Sequence, residues 1–273
     1  MLDQVIRMLQ FDFAVRALIV GGLIALCAAL LGVVLVLKRY ALIGDGLAHV
    51  GFGALSIAMV ANMAPMAVAI PVVVVSALLL LRLSANSSMG GDAAIAIAST
   101  SALTVGVIAA SLSTGMNVDV YNYMFGSILA MSDGDVYLSA SLSILVILLF
   151  LLSYRRIFAV TFDEVFARAS GINAEWYNVL IAMLTAVTVV IGMRMMGTLL
   201  ISSLIIFPAL TAMRVFKSFK RVIVAAALLS VLCVFVGLTA SFILSIPAGA
   251  SVVAANMVMF ALFSAIRLVR GRG

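Results

Sequence analysis

The chain has 273 residues, of which 66% are hydrophobic and only 10% charged, against about 25% charged in an ordinary soluble domain. A soluble fold of this length could not hide so much apolar surface, which excludes a soluble domain. The net charge of +6 sits at the ends of apolar runs, so a membrane surface explains it better than nucleic acid does.

Stretches long enough to cross a hydrocarbon core about 30 Å thick recur from Phe13 to Ile266. Peptide groups in that core find no water, so these stretches are expected to be helices; the period-two alternation of a barrel is absent. Nine spans are predicted near residues 14–37, 46–61, 64–81, 93–112, 136–153, 176–193, 195–213, 222–245 and 248–266. The first carries Arg16 and outruns the roughly 7–15 residues of a signal core, so it reads as a retained span. Cys27 and Cys233, far apart in predicted spans, and the scattered methionines read as packing residues.

After the first span come Lys38 and Arg39, then Gly44, Asp45 and Gly46, and then His49, the only histidine. On a helix, the four-residue spacing puts Asp45 and His49 on one face. Carboxylate and imidazole are ligands that zinc accepts and manganese tolerates. An N-cap aspartate beside a packed histidine is the alternative. Two ligands are half of a tetrahedral zinc site, and two copies of the chain meeting near an axis would supply four. Lys38 and Arg39 pull this connection towards the cytoplasm unless the chain re-enters the bilayer.

Further along, Asp119 with Tyr121 and Tyr123 lies just outside the fourth span, where it would guide a cation or serve as a plain loop acid. Asp133 and Asp135 read as exposed residues that open the fifth span, with no transport role. The connection from 154 to 175 is too polar to cross the membrane. In it, Thr161 and Glu164 read as a T-x-x-E capping box and Gly171 as a stop. A helix of about nine residues there, outside the bilayer, needs something to pack against. Arg194 and Gly197 alone part the sixth and seventh spans; Arg194 reads as a gate element or as an interfacial arginine that snorkels. Pro208 removes a hydrogen bond from the seventh span and frees a carbonyl.

Thirteen of the sixteen Lys and Arg residues fall on one side of this arrangement, and Arg7, Arg16 and Arg194 on the other. The expected orientation is therefore amino terminus outside and carboxyl terminus cytoplasmic. No G-x-x-x-x-G-K-S/T loop occurs, so the energy for any transport must come from a partner or a gradient. One transmembrane domain over 1–273 is expected, with the cytoplasmic helix at 161–171 inside it.

Four stretches carry a resemblance: YALIGDGLAH at 40–49, VDVYNYMFGSIL at 118–129, GTLLISSLIIFPA at 197–209 and IPAGASVV at 246–253. In that order the chain resembles the membrane subunits of ATP-binding-cassette importers for zinc and manganese, and most closely the high-affinity zinc uptake permeases. The resemblance implies an all-α polytopic fold like that of the larger vitamin B12 and iron-chelate importers, shortened at the amino terminus. It implies a homodimer in a bacterial plasma membrane, two cytoplasmic ATPase subunits and an external metal-binding protein. No cofactor is expected to be held permanently; the cargo is a divalent cation, zinc foremost, with manganese or iron as alternatives. A gradient-driven metal carrier is the rival reading. Asp45 and His49 are the expected metal ligands. The resemblance makes Thr161, Phe162, Asp163, Glu164, Phe166, Ala167, Arg168 and Gly171 the element that couples to the ATPase. Asp119, Tyr123, Arg194, Ser202, Ser203 and Pro208 are the candidate pathway or gate residues, and the resemblance places the seventh span, which carries the last three, against the translocation pathway.

Overall fold

A computed structural model describes residues 7–86, 91–112 and 133–270, and every regular element among them is an α-helix. In chain order these are α1 (Asp12–Leu37), α2 (Ile43–Val60), α3 (Pro65–Asn86), α4 (Gly91–Leu112), α5 (Asp133–Phe162), α6 (Glu164–Ala169), α7 (Ala174–Met196), α8 (Thr198–Val215), α9 (Phe219–Leu244) and α10 (Ala248–Arg270). Eight are long and apolar enough to cross a bilayer. The predicted seventh span is α8, whose apolar run Leu200–Val215 falls short of the roughly 20 residues of a full crossing.

Burial sorts the helices into an inner and an outer set. In α1 and α7, 72% of the apolar window is buried, against 17% in α4 and 11% in α10. A helix that is apolar all round but exposed needs lipid or another apolar surface against it. The inner helix α1 packs on α5, α7, α8 and α9, while α2 packs on α3, α4, α7 and α8. The helix α8 touches α1, α2, α7, α9 and α10, so it lies where the two halves of the bundle meet.

Glycine makes that meeting close. A methyl group on Gly32 of α1 would collide with the carbonyl oxygen of Ile205 in α8. The same Ile205 presses its side chain on Gly44 of α2, so three helices converge on one residue. The joint between α7 and α8 narrows to Gly197, whose φ of 89° and ψ of 159° suit a residue without Cβ. There the chain folds back, and Ile201 packs on Gly192.

The helix α5 is 30 residues long, roughly 45 Å at 1.5 Å per residue, and outruns a hydrocarbon core of about 30 Å. The span predicted at 136–153 is thus the middle of a longer rod. Its overhang, from Arg155 to Phe162, leads directly into α6.

Candidate metal pathway and coupling elements

Asp45 sits in the first turn of α2 and His49 one turn later. His49 Nε2 lies 3.6 Å from Asp45 Oδ2, so the expected shared face is formed. Ser202 of α8 donates from Oγ to Asp45 Oδ1 at 2.9 Å. One carboxylate oxygen is thereby oriented, and the other is left facing the imidazole. His49 Nδ1 is buried and has no hydrogen-bond partner among the described residues. No group of three His, Cys, Asp or Glu side chains suited to a metal occurs among the described residues. A single chain therefore brings one carboxylate and one imidazole to this place.

The helix packing sets the pair against α8. Ile205 touches both Gly44, next to Asp45, and Gly32, which lies six residues before Lys38 on α1, roughly 9 Å along the axis. The chain turns after α1, and α2 meets the bundle from its first residues, Ile43 and Gly44, which are buried. The tight link is bonded throughout: Tyr40 N–H donates to Leu35 O at 2.8 Å, Ile43 N–H to Tyr40 O at 3.0 Å and Gly46 N–H to Leu42 O at 3.0 Å.

A cavity of about 580 Å³ adjoins the pair, lined by Asp45, Ser202, Ser203, Phe207, Gly249 and Met257 among others. Its wall is mostly apolar, with Asp45 the charged group on it. Ser203 spends its hydroxyl on Leu200 O at 2.8 Å. Pro208 is buried in the helix packing and does not line the cavity. Of the expected pathway residues, Ser202 and Ser203 gather at Asp45. Asp119 and Tyr123 lie outside the described residues.

Arg194 departs from its reading as a snorkelling interfacial arginine. It donates to Asp135 at 2.9 Å, in an ion pair whose side chains are 26% and 16% exposed. Neither end reaches freely for solvent, so Arg194 does not snorkel and Asp135 is not an exposed loop acid. The neighbouring Asp133 accepts from Arg16 of α1. The start of α5 is thus tied to α1 and to the end of α7 by two arginines.

At the opposite end the expected capping box does not form. Thr161 belongs to the last turn of α5 and donates its hydroxyl to Ile157 O at 2.6 Å. Its oxygen is committed to α5, which continues through Phe162. The cap is Asp163, with extended backbone and a side chain that accepts from Phe166 N at 2.8 Å, a role for which aspartate is well suited. The helix α6 has six residues, not about nine. Gly171 stops it as expected, with φ at 81° and Ile172 N–H donating to Ala167 O at 2.9 Å. Ala167 faces inward onto Val160 and Ala174, whereas Val165 and Phe166 stand 80% and 66% exposed.

Glu164 holds α6 to the bundle. It accepts from Arg168 at 2.7 Å and from Asn178 Nδ2 of α7 at 3.1 Å. Lys38, at the end of α1, donates to Asn178 Oδ1 at 2.6 Å and meets Glu164 at 3.5 Å. Burial lowers the Lys38 pKa from its ordinary value, and the Glu164 charge offsets this in part. Burial acts to raise the Glu164 carboxyl, but the bonds from Asn178 and Arg168 and the charges of Lys38 and Arg168 outweigh it and hold the carboxyl low. Lys38 and Asn178 escaped the sequence reading, because a basic residue at a span end is ordinary there and Asn178 carries no motif.

The ABC 3 transport family profile matches residues 10–267. The chain belongs to the ABC 3 transport family. Similar proteins include the manganese transport system membrane protein MntC of Halalkalibacterium halodurans, 28% identical over 94% of this chain and 88% of that protein. The high-affinity zinc uptake system membrane protein ZnuB of Haemophilus influenzae is also 28% identical, over 93% of this chain and 97% of ZnuB. Among solved structures, PsaBC from Streptococcus pneumoniae in complex with Fab superposes with a TM-score of 0.87 at 26% identity, covering 96% of this chain and 95% of that one. Membership in the ABC 3 transport family makes this chain a multi-pass permease subunit of a zinc or manganese importer rather than an enzyme.

Proposed function

We propose that two copies of this permease pass a divalent cation, zinc foremost, between them through the Asp45 and His49 pairs. The observation that carries the reading is the 3.6 Å separation of His49 Nε2 and Asp45 Oδ2, with Ser202 orienting the carboxylate. Two donors on a tetrahedral ion with bonds of about 2.0 Å stand about 3.3 Å apart, so a few tenths of an ångström of side-chain adjustment closes them on zinc. Two copies complete four ligands. A histidine ligand usually donates its second ring N–H to a partner, and His49 Nδ1 has none among the described residues. That leaves the grip loose, which suits an ion that must leave again.

The energy comes from a cytoplasmic ATPase dimer that docks on the exposed Val165 and Phe166 of α6. An external binding protein delivers the ion. The bias of basic residues supports an outside amino terminus and a cytoplasmic carboxyl terminus in a bacterial plasma membrane. Manganese is the second reading, favoured by relatives such as MntC, since carboxylate and imidazole serve both ions. The test is metal uptake into vesicles that hold the permease, its ATPase and its binding protein. Native protein should accumulate zinc ahead of manganese, and His49→Ala should accumulate neither. Equal uptake by the variant would remove the ligand pair, and a manganese preference would select the second reading.

A further inference from the structure

The polar network at the base of α1 joins α6 to the chain that carries Asp45. The Lys38 side chain is only 10% exposed, so its ammonium depends on protein acceptors: Asn178 of α7 at 2.6 Å and Glu164 of α6 at 3.5 Å. The Glu164 contact is the longer, and a small shift of α6 breaks or tightens it first.

From Lys38 to Asp45 there is little slack. Arg39 takes a left-handed φ of 63°, a conformation that disfavours a residue with Cβ, and backbone bonds from Tyr40, Ile43 and Gly46 carry the turn directly into α2. A displacement at Lys38 therefore reaches the first turn of α2, where Asp45 is bonded to Ser202.

We propose that Lys38 is a positioning residue that transmits movement of α6 to the metal pair, by way of its contact with Glu164 and the bonded link from residue 38 to 45. The inference rests on the reading of α6 as the ATPase-coupling element. Lys38→Met suits the test, because it removes the buried charge while Glu164 keeps Arg168 and Asn178.

The experiment compares native permease, Lys38→Met, Lys38→Arg and Phe166→Ala in vesicles with the ATPase and binding protein, and measures zinc transported, ATP hydrolysed and zinc bound. For Lys38→Met, zinc moved per ATP should fall about 10-fold while ATP hydrolysis stays within about twofold and bound zinc is unchanged, a size ordinary for coupling between sites. Lys38→Arg should recover much of the loss. A merely structural lysine would lower transport and hydrolysis together, and that result, or a native ratio in Lys38→Met, overturns the proposal. Phe166→Ala separates the two readings. If it abolishes ATPase attachment while Lys38→Met transports normally, α6 still couples and only the Lys38 link fails. If it changes nothing, both fall.

Discussion

Two polar clusters, at opposite ends of one short link, differ in how completely their groups are paired. At the junction of α1, α6 and α7, Lys38, Glu164, Arg168 and Asn178 satisfy one another. Around Asp45 and His49 the pairing is partial: one carboxylate oxygen is bonded to Ser202 and one ring nitrogen has no partner among the described residues. A saturated network is stiff. An unsaturated pair of metal-binding groups offers an ion coordination that it can leave. On the proposed function, the fully paired cluster lies where movement would enter and the incompletely paired one where the cargo would pass.

The most severe way to break the contrast is to disturb the packing that supports both clusters. Gly32→Ala puts a methyl group into the Ile205 carbonyl, and because backbone must move, the cost should be about 3 kcal/mol or more. Thermal unfolding in detergent should show a large drop in midpoint, and zinc binding should weaken with it. An unchanged midpoint would mean that α1 and α8 are not so closely apposed.

Asn178→Ala attacks the saturated cluster alone. It takes from the half-buried Lys38 its acceptor at 2.6 Å, and loss of a bond to a charged group should cost about 1.5–3 kcal/mol. The same melt would show this, with zinc affinity close to native. Ser202→Ala attacks the unsaturated cluster alone. Loss of an orienting bond to a ligand typically weakens metal binding about 10–100-fold, which calorimetric titration with zinc would measure; stability should barely change.

The smallest effect is one of pH. The Glu164 carboxyl is held below its ordinary 4.5 in the folded chain, so its contribution to stability is complete above that value and is lost as pH falls through the folded pKa. A series of melts at falling pH should show this extra acid sensitivity in the native permease, and Glu164→Gln should lack it.

The helices themselves were legible because bilayer thickness imposes a length and lipid imposes a composition, and both are local properties of a chain. The Asp45 and His49 pair was legible for the same reason, since four residues on a helix are neighbours whatever the rest of the fold does. Contacts that depend on tertiary packing were hidden. Ser202 lies 157 positions from Asp45, and Arg194 lies 59 from Asp135. The length of α5 was misjudged because the charges of Arg155 and Arg156 mark where a span leaves lipid, not where a helix stops. That error displaced the cap from Asp163 to Thr161, two residues upstream.

The central claim is that two chains share one ion through Asp45 and His49. It is tested most directly by counting zinc bound per chain in the purified permease, with X-ray absorption at the zinc edge to read its ligands. One zinc per two chains is expected, with nitrogen and oxygen ligands at about 2.0 Å, and that zinc should be lost in both Asp45→Ala and His49→Ala. Native zinc content in either variant, or one ion held by each separate chain, would contradict it.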